Sequence, residues 1–150
     1  GGTWFSEDLL RVFERMHADQ DSTVKHCAFE LWDASTNELL AVTAGFGVGC
    51  AFHDYSMCTL VRDDRGAGNV LTRTVGHLLR CCGYGIWYWG YKNPYMHSYD
   101  SYGGREFDRA EFWSRWESLR GRPAPEDVAE FIAAGGALVP PRVATALQSD

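Results

Sequence analysis

Apolar and polar residues alternate along the first third of the chain with periods that predict one helix followed by strands. The helix is predicted to start at Ser6, a typical N-cap residue, and to end near Asp19. Its apolar face consists of Leu9, Leu10, Phe13 and Met16. Residues 24–32 and 39–44 are rich in β-forming side chains, and the turn formers of 33–37 lie between them. We therefore predict a hairpin directly after the helix.

Glycines alternate with larger residues over 45–52, directly after the second predicted strand. Such alternation indicates a β-bulge, or a place where a ligand meets bare backbone. The later elements are predicted as a helix over 70–82, a strand over 86–91, a short turn or helix over 94–102, a helix that Asp108 caps and a last helix over 125–134. Strands that meander before a helix and return beside it form a mixed sheet. We expect an α/β fold with helices on both faces of that sheet.

The composition is that of a single globular domain. The chain has 150 residues, 45% of them hydrophobic and 23% charged, which excludes disordered and fibrous architectures. No apolar run approaches the roughly 20 residues of a membrane helix, so we expect no membrane contact. The net charge of −6 argues against a purely electrostatic nucleic-acid binder. Aromatic residues make up 14% of the chain, which suits the gripping of ligands or bases.

The five cysteines do not form the pattern of a secreted disulfide scaffold. Their number is odd, and no C-x-x-C pair occurs. Reduced thiols in a cytoplasmic protein are the better interpretation. The five histidines are scattered and lack the paired spacing that zinc sites use, so we expect no metal.

Residues 62–69 form a glycine-containing loop between a predicted strand and the helix that follows. Backbone N–H groups at such a junction can hold an anion, and the helix dipole favours negative charge there. Gly66-Ala67-Gly68 resembles the end of the CoA-binding loop of GNAT acetyltransferases, but Asp63 stands where they have Gln or Arg. A carboxylate repels a pyrophosphate, which weakens the CoA hypothesis. An ordinary helix-entry loop is the alternative interpretation.

A series of short motifs resembles the leucyl/phenylalanyl-tRNA–protein transferases. The matching segments, in chain order, are Gly2-Thr3-Trp4, Phe29-Glu30-Leu31-Trp32, Glu38-Leu39-Leu40, Tyr55-Ser56-Met57, Phe107-Asp108-Arg109-Ala110-Glu111-Phe112 and Val139-Pro140-Pro141-Arg142. The similarity covers mainly residues 2–116. It rests on the shared order and spacing of the motifs, since no single one is specific.

The resemblance implies a GNAT-like catalytic domain over residues 1–150, with a core over 1–122 and a C-terminal helix and tail over 123–150. The small N-terminal domain of the family is absent from this sequence. Such an enzyme moves leucine, phenylalanine or methionine from aminoacyl-tRNA to the N-terminal amine of proteins that begin with Arg or Lys (N-degron tagging). Its implied partners are aminoacyl-tRNA and the acceptor N-terminus, and it needs neither CoA nor another cofactor. We expect a monomer.

Three positions depart from the pattern of the family. Tyr55 stands where the family has a Glu before Ser-Met, and Trp87 and Trp89 align with its Asp and Gln. A carboxylate can orient an α-amino group and take its proton, whereas an indole only donates one hydrogen bond. Strand alternation places Trp87, Trp89 and Tyr91 on one face. We expect altered catalytic groups on a retained scaffold.

The predicted site has three groups of residues. The catalytic candidates, of which the tyrosine can donate to a developing oxyanion, are Tyr55, Ser56 and Trp89. The candidates for an apolar aminoacyl pocket, for which core packing is the alternative, are Phe52, Met57, Val75, Leu79 and Ile86. The candidates for the tRNA 3′ end are Trp4, Arg65, Gly66, Gly68 and Asn69. Trp4 would stack on the terminal adenosine, or else dock a helix, and Tyr55 is alternatively a plain strand aromatic.

Charge is unevenly distributed along the chain. Residues 59–92 hold five basic and two acidic side chains, which suits contact with a tRNA acceptor stem or, alternatively, marks a solvated helix face. Two other functions stay open. One is an acyl-CoA-dependent N-acyltransferase of the same fold, which the glycine loop would serve. The other is a catalytically silent module that binds protein N-termini or tRNA 3′ ends.

Overall fold

The computed structural model describes residues 6–19, 21–92, 94–123 and 125–135. Its elements, in chain order, are α1 (Glu7–Ala18), β1 (Val24–Asp33), β2 (Glu38–Val48), β3 (Ala51–Thr59), α2 (Ala67–Cys82), β4 (Ile86–Tyr88), a 3₁₀ helix (Pro94–Tyr102), α3 (Arg109–Arg120) and α4 (Val128–Ala133). Side-chain caps set three helix starts, because Ser6, Asp108 and Asp127 each accept a hydrogen bond from a backbone N–H of the first turn.

The described strands form one sheet in the order β1-β2-β3-β4. The first three are antiparallel neighbours joined by hairpins, and β4 lies parallel to β3 after the crossover helix α2. The predicted mixed α/β sheet is therefore confirmed. Among the described residues, no helix is both long and apolar enough to cross a membrane.

The second strand is predicted to end at residue 44, before the glycine segment, and the structure corrects this boundary. β2 continues without a break through Val48, the chain turns at Gly49 and Cys50, and β3 begins at Ala51. Glycines within β2 do not end it, because β1 and β3 supply backbone partners on both of its sides. The strand predicted over 86–91 is also shorter, since β4 ends at Tyr88.

The sheet is covered on both faces, as expected. On one side, which we call the α2 face, Phe52 of β3 packs with Leu71, Val75 and Leu79 of α2 in the main core cluster. Val128 of α4 packs against the same cluster. Apolar burial on this side supplies the main driving force for folding.

The opposite side, the α1/α3 face, carries a continuous layer of aromatic rings. Ring centroids of neighbours are 4.5–5.8 Å apart, which is the range of favourable aromatic pairs. The rings belong, from α1 across the sheet to α3, to Phe13, His26, Tyr55, Phe46, His53, Tyr88, Phe112 and Trp116. Both helices are thus attached to the sheet through this layer.

Two histidines within the aromatic layer make the stability of the fold sensitive to acid. Burial lowers the pKa of both His26 and His53 from the ordinary 6.5, and His17 lowers that of His26 further. The Nε2 atom of His26 is buried and has no hydrogen-bond partner among the described residues. The folded state therefore holds both imidazoles in the neutral form.

We expect stability to be complete above pH 6.5 and to fall as the pH drops from there toward the lowered folded pKa values, because the unfolded chain takes up protons first. Replacing His53 with phenylalanine keeps a ring in the layer and should flatten the dependence of the melting temperature on pH between 7.5 and 5. His77→Gln, on α2 outside the layer, is the control. A dependence as steep in His53→Phe as in the unsubstituted chain would contradict this explanation.

Candidate functional site

The parallel strands β3 and β4 separate soon after they meet. Their pairing covers three positions and ends with His53 opposite Tyr88. β3 then continues to Thr59, whereas the chain after β4 leaves the sheet. We call this place, between residues 54–59 of β3 and the chain after Tyr88, the strand opening. Ligands of α/β proteins commonly bind outside the carboxyl ends of parallel strands, so it is the natural candidate site.

A β-bulge decides which side chains of β3 lie on each face at this point. Gly45 of β2 pairs with Asp54, but the preceding Ala44 pairs with Ser56, so Tyr55 is an extra residue on β3. Asp54 therefore remains on the α2 face, where its carboxyl meets Thr43. Tyr55 lies on the α1/α3 face against Phe13. Bulges re-aim side chains in this way and are common beside active sites.

Asp54 is the partly buried acid at the strand opening. The hydroxyl of Thr43 donates to its Oδ1 over 2.8 Å. Burial raises the pKa of Asp54, and hydrogen bonds from Thr43, Trp87 and the backbone of Ser56 oppose that rise. Desolvation is the largest of these effects, so the carboxyl holds a proton more tightly than a solvent-exposed aspartate.

Trp87 reaches the same carboxyl from β4. Its ring lies against Gly76 of α2, where an added Cβ would be 3.1 Å from the indole. The buried Nε1 has no hydrogen bond of normal geometry among the described residues. It nevertheless lowers the pKa of the Asp54 carboxyl, in opposition to the effect of burial. Trp87 thus contributes a donor that is directed at the acid.

The chain after β4 is held in place by aromatic contacts. Trp89 packs edge-on against Trp87, and their ring centroids are 4.8 Å apart. Its ring also packs at a tilt against Tyr99 of the 3₁₀ helix, with a centroid distance of 4.6 Å. The hydroxyl of Tyr102 is hydrogen-bonded to the side chain of Asn69 at the start of α2. The 3₁₀ helix is thereby attached to both β4 and α2.

The three catalytic candidates of the sequence do not come together. Tyr55 lies in the aromatic layer of the α1/α3 face, and Trp89 packs in the stack beyond β4. Ser56 follows the bulge, where its carbonyl oxygen accepts from Thr43 over 3.1 Å. Tyr91, predicted to share a face with the tryptophans, lies past the strand end and is 85% exposed.

The predicted pocket residues divide between the core and the sheet. Phe52, Val75 and Leu79 belong to the main core cluster, and none is more than 2% exposed. Ile86 pairs with Ala51 in the parallel ladder. Met57 lies on the α2 face, where its sulfur accepts from the hydroxyl of Thr72 over 3.4 Å.

The residues predicted for the tRNA 3′ end take structural positions where they are described. Gly66 has a left-handed conformation that starts α2, and a Cβ on Gly68 would be only 2.6 Å from the hydroxyl of Thr59. The side chain of Asn69 accepts a hydrogen bond from the hydroxyl of Tyr102. Trp4 lies outside the described residues. Close packing of the helix onto β3 explains the glycine at position 68.

Arg65 serves as a bridge between two turns. Its guanidinium is 2.6 Å from Asp33, 2.8 Å from Asp63 and 4.0 Å from Glu38. The side chain of Lys92 is likewise engaged, by Asp100 at 2.9 Å and Glu106 at 3.8 Å. The local excess of three positive charges over residues 59–92 is therefore offset by four carboxylates that lie outside that range.

Replacing Arg65 with glutamine should release the β1–β2 turn from the loop before α2. We expect faster amide hydrogen exchange over residues 34–37, measured by mass spectrometry, and unchanged exchange in α2, because the main core does not involve this side chain. Arg62→Gln removes a neighbouring charge and is the control. Equal exchange of the turn in both variants would show that the ion pairs do not hold it.

Sequence reasoning missed Asp54 and Thr43. The family pattern has an acid directly before Ser56, whereas the acid of this chain is Asp54, one residue earlier, which pairs with Gly45 and faces α2. The available signal was the glycine alternation, which indicated a bulge without locating it on β3. The rings of Phe52 and Tyr84 lie against Gly45 and Gly47, on the side where a Cβ would be.

Metal and cysteine chemistry give no competing site among the residues that the structure describes. No three His, Cys, Asp or Glu side chains come together there to hold a metal ion. All five cysteines are free thiols, and burial raises the pKa of Cys27 to about 12. An open hollow of about 390 Å³ lies on α3 beside Arg109, Ala110 and Trp113. It contains no carboxyl or thiol among those residues.

Comparison with known proteins adds no relative. No protein-family model matches the chain, and no curated protein matches it either.

Proposed function

We propose that this chain is a GNAT-like aminoacyltransferase that moves an apolar amino acid from aminoacyl-tRNA to the N-terminal amine of a protein. Two arguments support the proposal. The motifs resemble the leucyl/phenylalanyl-tRNA–protein transferases, and the order of elements agrees with that resemblance: a helix, a strand meander, a helix, a strand and a further helix. The observation that carries the proposal is the partly buried carboxyl of Asp54 at the strand opening.

Asp54 supplies the acid that the sequence lacks at position 55. Aminolysis of an activated ester needs an amine that is oriented and has lost its proton. A carboxylate with a raised pKa is a stronger base than an ordinary aspartate, so Asp54 suits both tasks. In the α2-face environment it takes one proton from the acceptor ammonium, and the free amine attacks the ester carbonyl carbon.

The remaining protons balance without a cofactor. The new C–N bond forms as the ester C–O bond breaks, and the nitrogen loses a second proton that ends on the departing ribose oxygen. Asp54 then releases its proton to water. The indole N–H of Trp87, on β4, favours the charged form of this carboxyl.

The direct test is transfer of radiolabelled leucine, phenylalanine or methionine from charged tRNA to a peptide that begins with Arg or Lys. We expect labelled peptide with the free N-terminus and none with the same peptide after N-acetylation. Absence of label with every amino acid and both peptides would overturn the proposal.

A binding module for protein N-termini is the second candidate, because indole and phenol rings occupy the region around the strand opening. Thermal-shift measurements separate the candidates. Stabilisation by a puromycin-like aminoacyl-adenosine supports the transferase, and stabilisation by N-terminal peptides alone supports the module. Stabilisation by acetyl-CoA would favour an acyl-CoA enzyme instead, against which Asp63 and its ion pair with Arg65 argue.

A further inference from the structure

We propose that Thr43 is the positioning residue of this site: its hydroxyl spans the bulge and fixes the orientation of the Asp54 carboxyl by holding it toward β2. The role of Thr43 in catalysis rests on the proposed function. Its role in orienting the Asp54 carboxyl rests on the geometry of β2 and β3 alone. Thr43 does not itself contact a substrate in this arrangement.

The position of Thr43 is unusual for a polar side chain. It is 1% exposed, and it lies on β2 directly opposite Met57. Its Oγ1 reaches Asp54 Oδ1 over 2.8 Å and the carbonyl oxygen of Ser56 over 3.1 Å. These two acceptors flank the extra residue of the bulge. One hydroxyl therefore contacts both the backbone carbonyl of Ser56, after Tyr55, and the side chain of Asp54, before it.

The hydroxyl has a single proton to share between these two acceptors. A buried hydroxyl that lost its partners would carry a desolvation cost, and a carboxylate without a donor would carry a larger one. The pair is consequently stable only with Asp54 turned toward β2. A valine at position 43 would fill the same volume and leave the carboxyl free to rotate.

The first experiment follows Asp54 directly and needs no activity. Carboxyl carbon NMR should give an Asp54 titration that moves to higher pH in Thr43→Val, because a donor to the charged form is lost, and that stays unchanged in Thr43→Ser. Thr72→Val is the matched control: its hydroxyl is also buried, but it bonds Gly68 and Met57. An unshifted or lowered titration in Thr43→Val would overturn the proposal.

A measurement on the unsubstituted chain keeps the test valid if Thr43→Val does not fold. The Thr43 hydroxyl proton should exchange slowly enough with water to be observed, with cross-peaks to the bulge. Rapid exchange of that proton would show that the hydroxyl is not held between Asp54 and Ser56, and would overturn the proposal by itself.

The second experiment measures the reaction. In the transfer assay, Thr43→Val should lower kcat on the order of 100-fold through misplacement of the carboxyl, with KM little changed, and Thr43→Ser should restore it. The pH of half-maximal rate should rise in Thr43→Val alone. An inactive unsubstituted chain with a normal NMR response would reject the proposed function and retain the positioning role. An active Thr43→Val enzyme with an unchanged pH profile would reject the positioning role and retain the function.

Discussion

Replacing Gly45 with alanine is expected to lower the free energy of unfolding by about 3 kcal/mol, at the upper end of the usual cost of overpacking. Gly45 lies in the middle of β2 beneath the ring of Phe52. An added Cβ would be 2.7 and 2.9 Å from two carbons of that ring, and it would also overlap the carbonyl oxygen of His53. The ring is fully buried and the carbonyl belongs to the neighbouring strand, so neither can move without breaking the sheet.

Urea denaturation followed by tryptophan fluorescence measures this loss. Gly121→Ala is the matched control, because Gly121 has an ordinary negative φ and an added Cβ would meet Glu117 at a comfortable 3.6 Å. We expect the control to keep its denaturation midpoint and Gly45→Ala to unfold at a clearly lower urea concentration. Equal midpoints would mean that β2 and β3 can separate at the bulge without cost.

Replacing Asp54 with asparagine is expected to lower kcat/KM for aminoacyl transfer by about 10²- to 10⁴-fold, the usual contribution of a general base. The amide has nearly the same shape and still accepts the hydrogen bond from Thr43, but it cannot take a proton. Tyr55→Phe is the control, since it removes the hydroxyl on the α1/α3 face and keeps the ring in its layer. Transfer that survives in Asp54→Asn and fails in Tyr55→Phe would return the catalytic role to the tyrosine.

The same substitution should stabilise the fold at neutral pH. The folded pKa of Asp54 lies above the ordinary 3.8, so the unfolded chain releases this proton first as the pH rises, and ionised Asp54 destabilises the folded state. Asparagine removes that cost. We expect a higher melting temperature for Asp54→Asn at pH 7, with the difference shrinking as the pH falls toward 3.8. A lower melting temperature at pH 7 would show that the charge is stabilised in the fold.

Local sequence signals located the helices well. Ser6 was predicted to cap α1 and Asp108 to cap α3, and both side chains do so. Gly83 ends α2 in a left-handed conformation, directly after residue 82, where the helix was predicted to end. These features depend on residues within one or two turns of each other. A short segment of the sequence therefore contains all the residues that form each helix end.

The strands were less predictable, because their ends depend on partners that are distant in the chain. β4 was predicted to run to Tyr91, yet β3 pairs with it only as far as Tyr88. Gly90, with a φ of +79°, then adopts a conformation that ends the extended chain. Neither the divergence of β3 nor its continuation to Thr59 follows from the residues of β4.

The sequence by itself determined the mixed α/β class and the caps of α1 and α3, and it left open whether the glycine segment marks a bulge or a ligand site. Only the tertiary structure decided that Asp54 faces α2 and that the bulge at Tyr55 places Met57, and not Ser56, on the same face. The reason is the period of two in a strand: one extra residue sends every following side chain to the other face. The sequence thus shows that an aspartate is present at position 54. The pairing of β3 with β2 determines the face of the sheet on which its side chain lies.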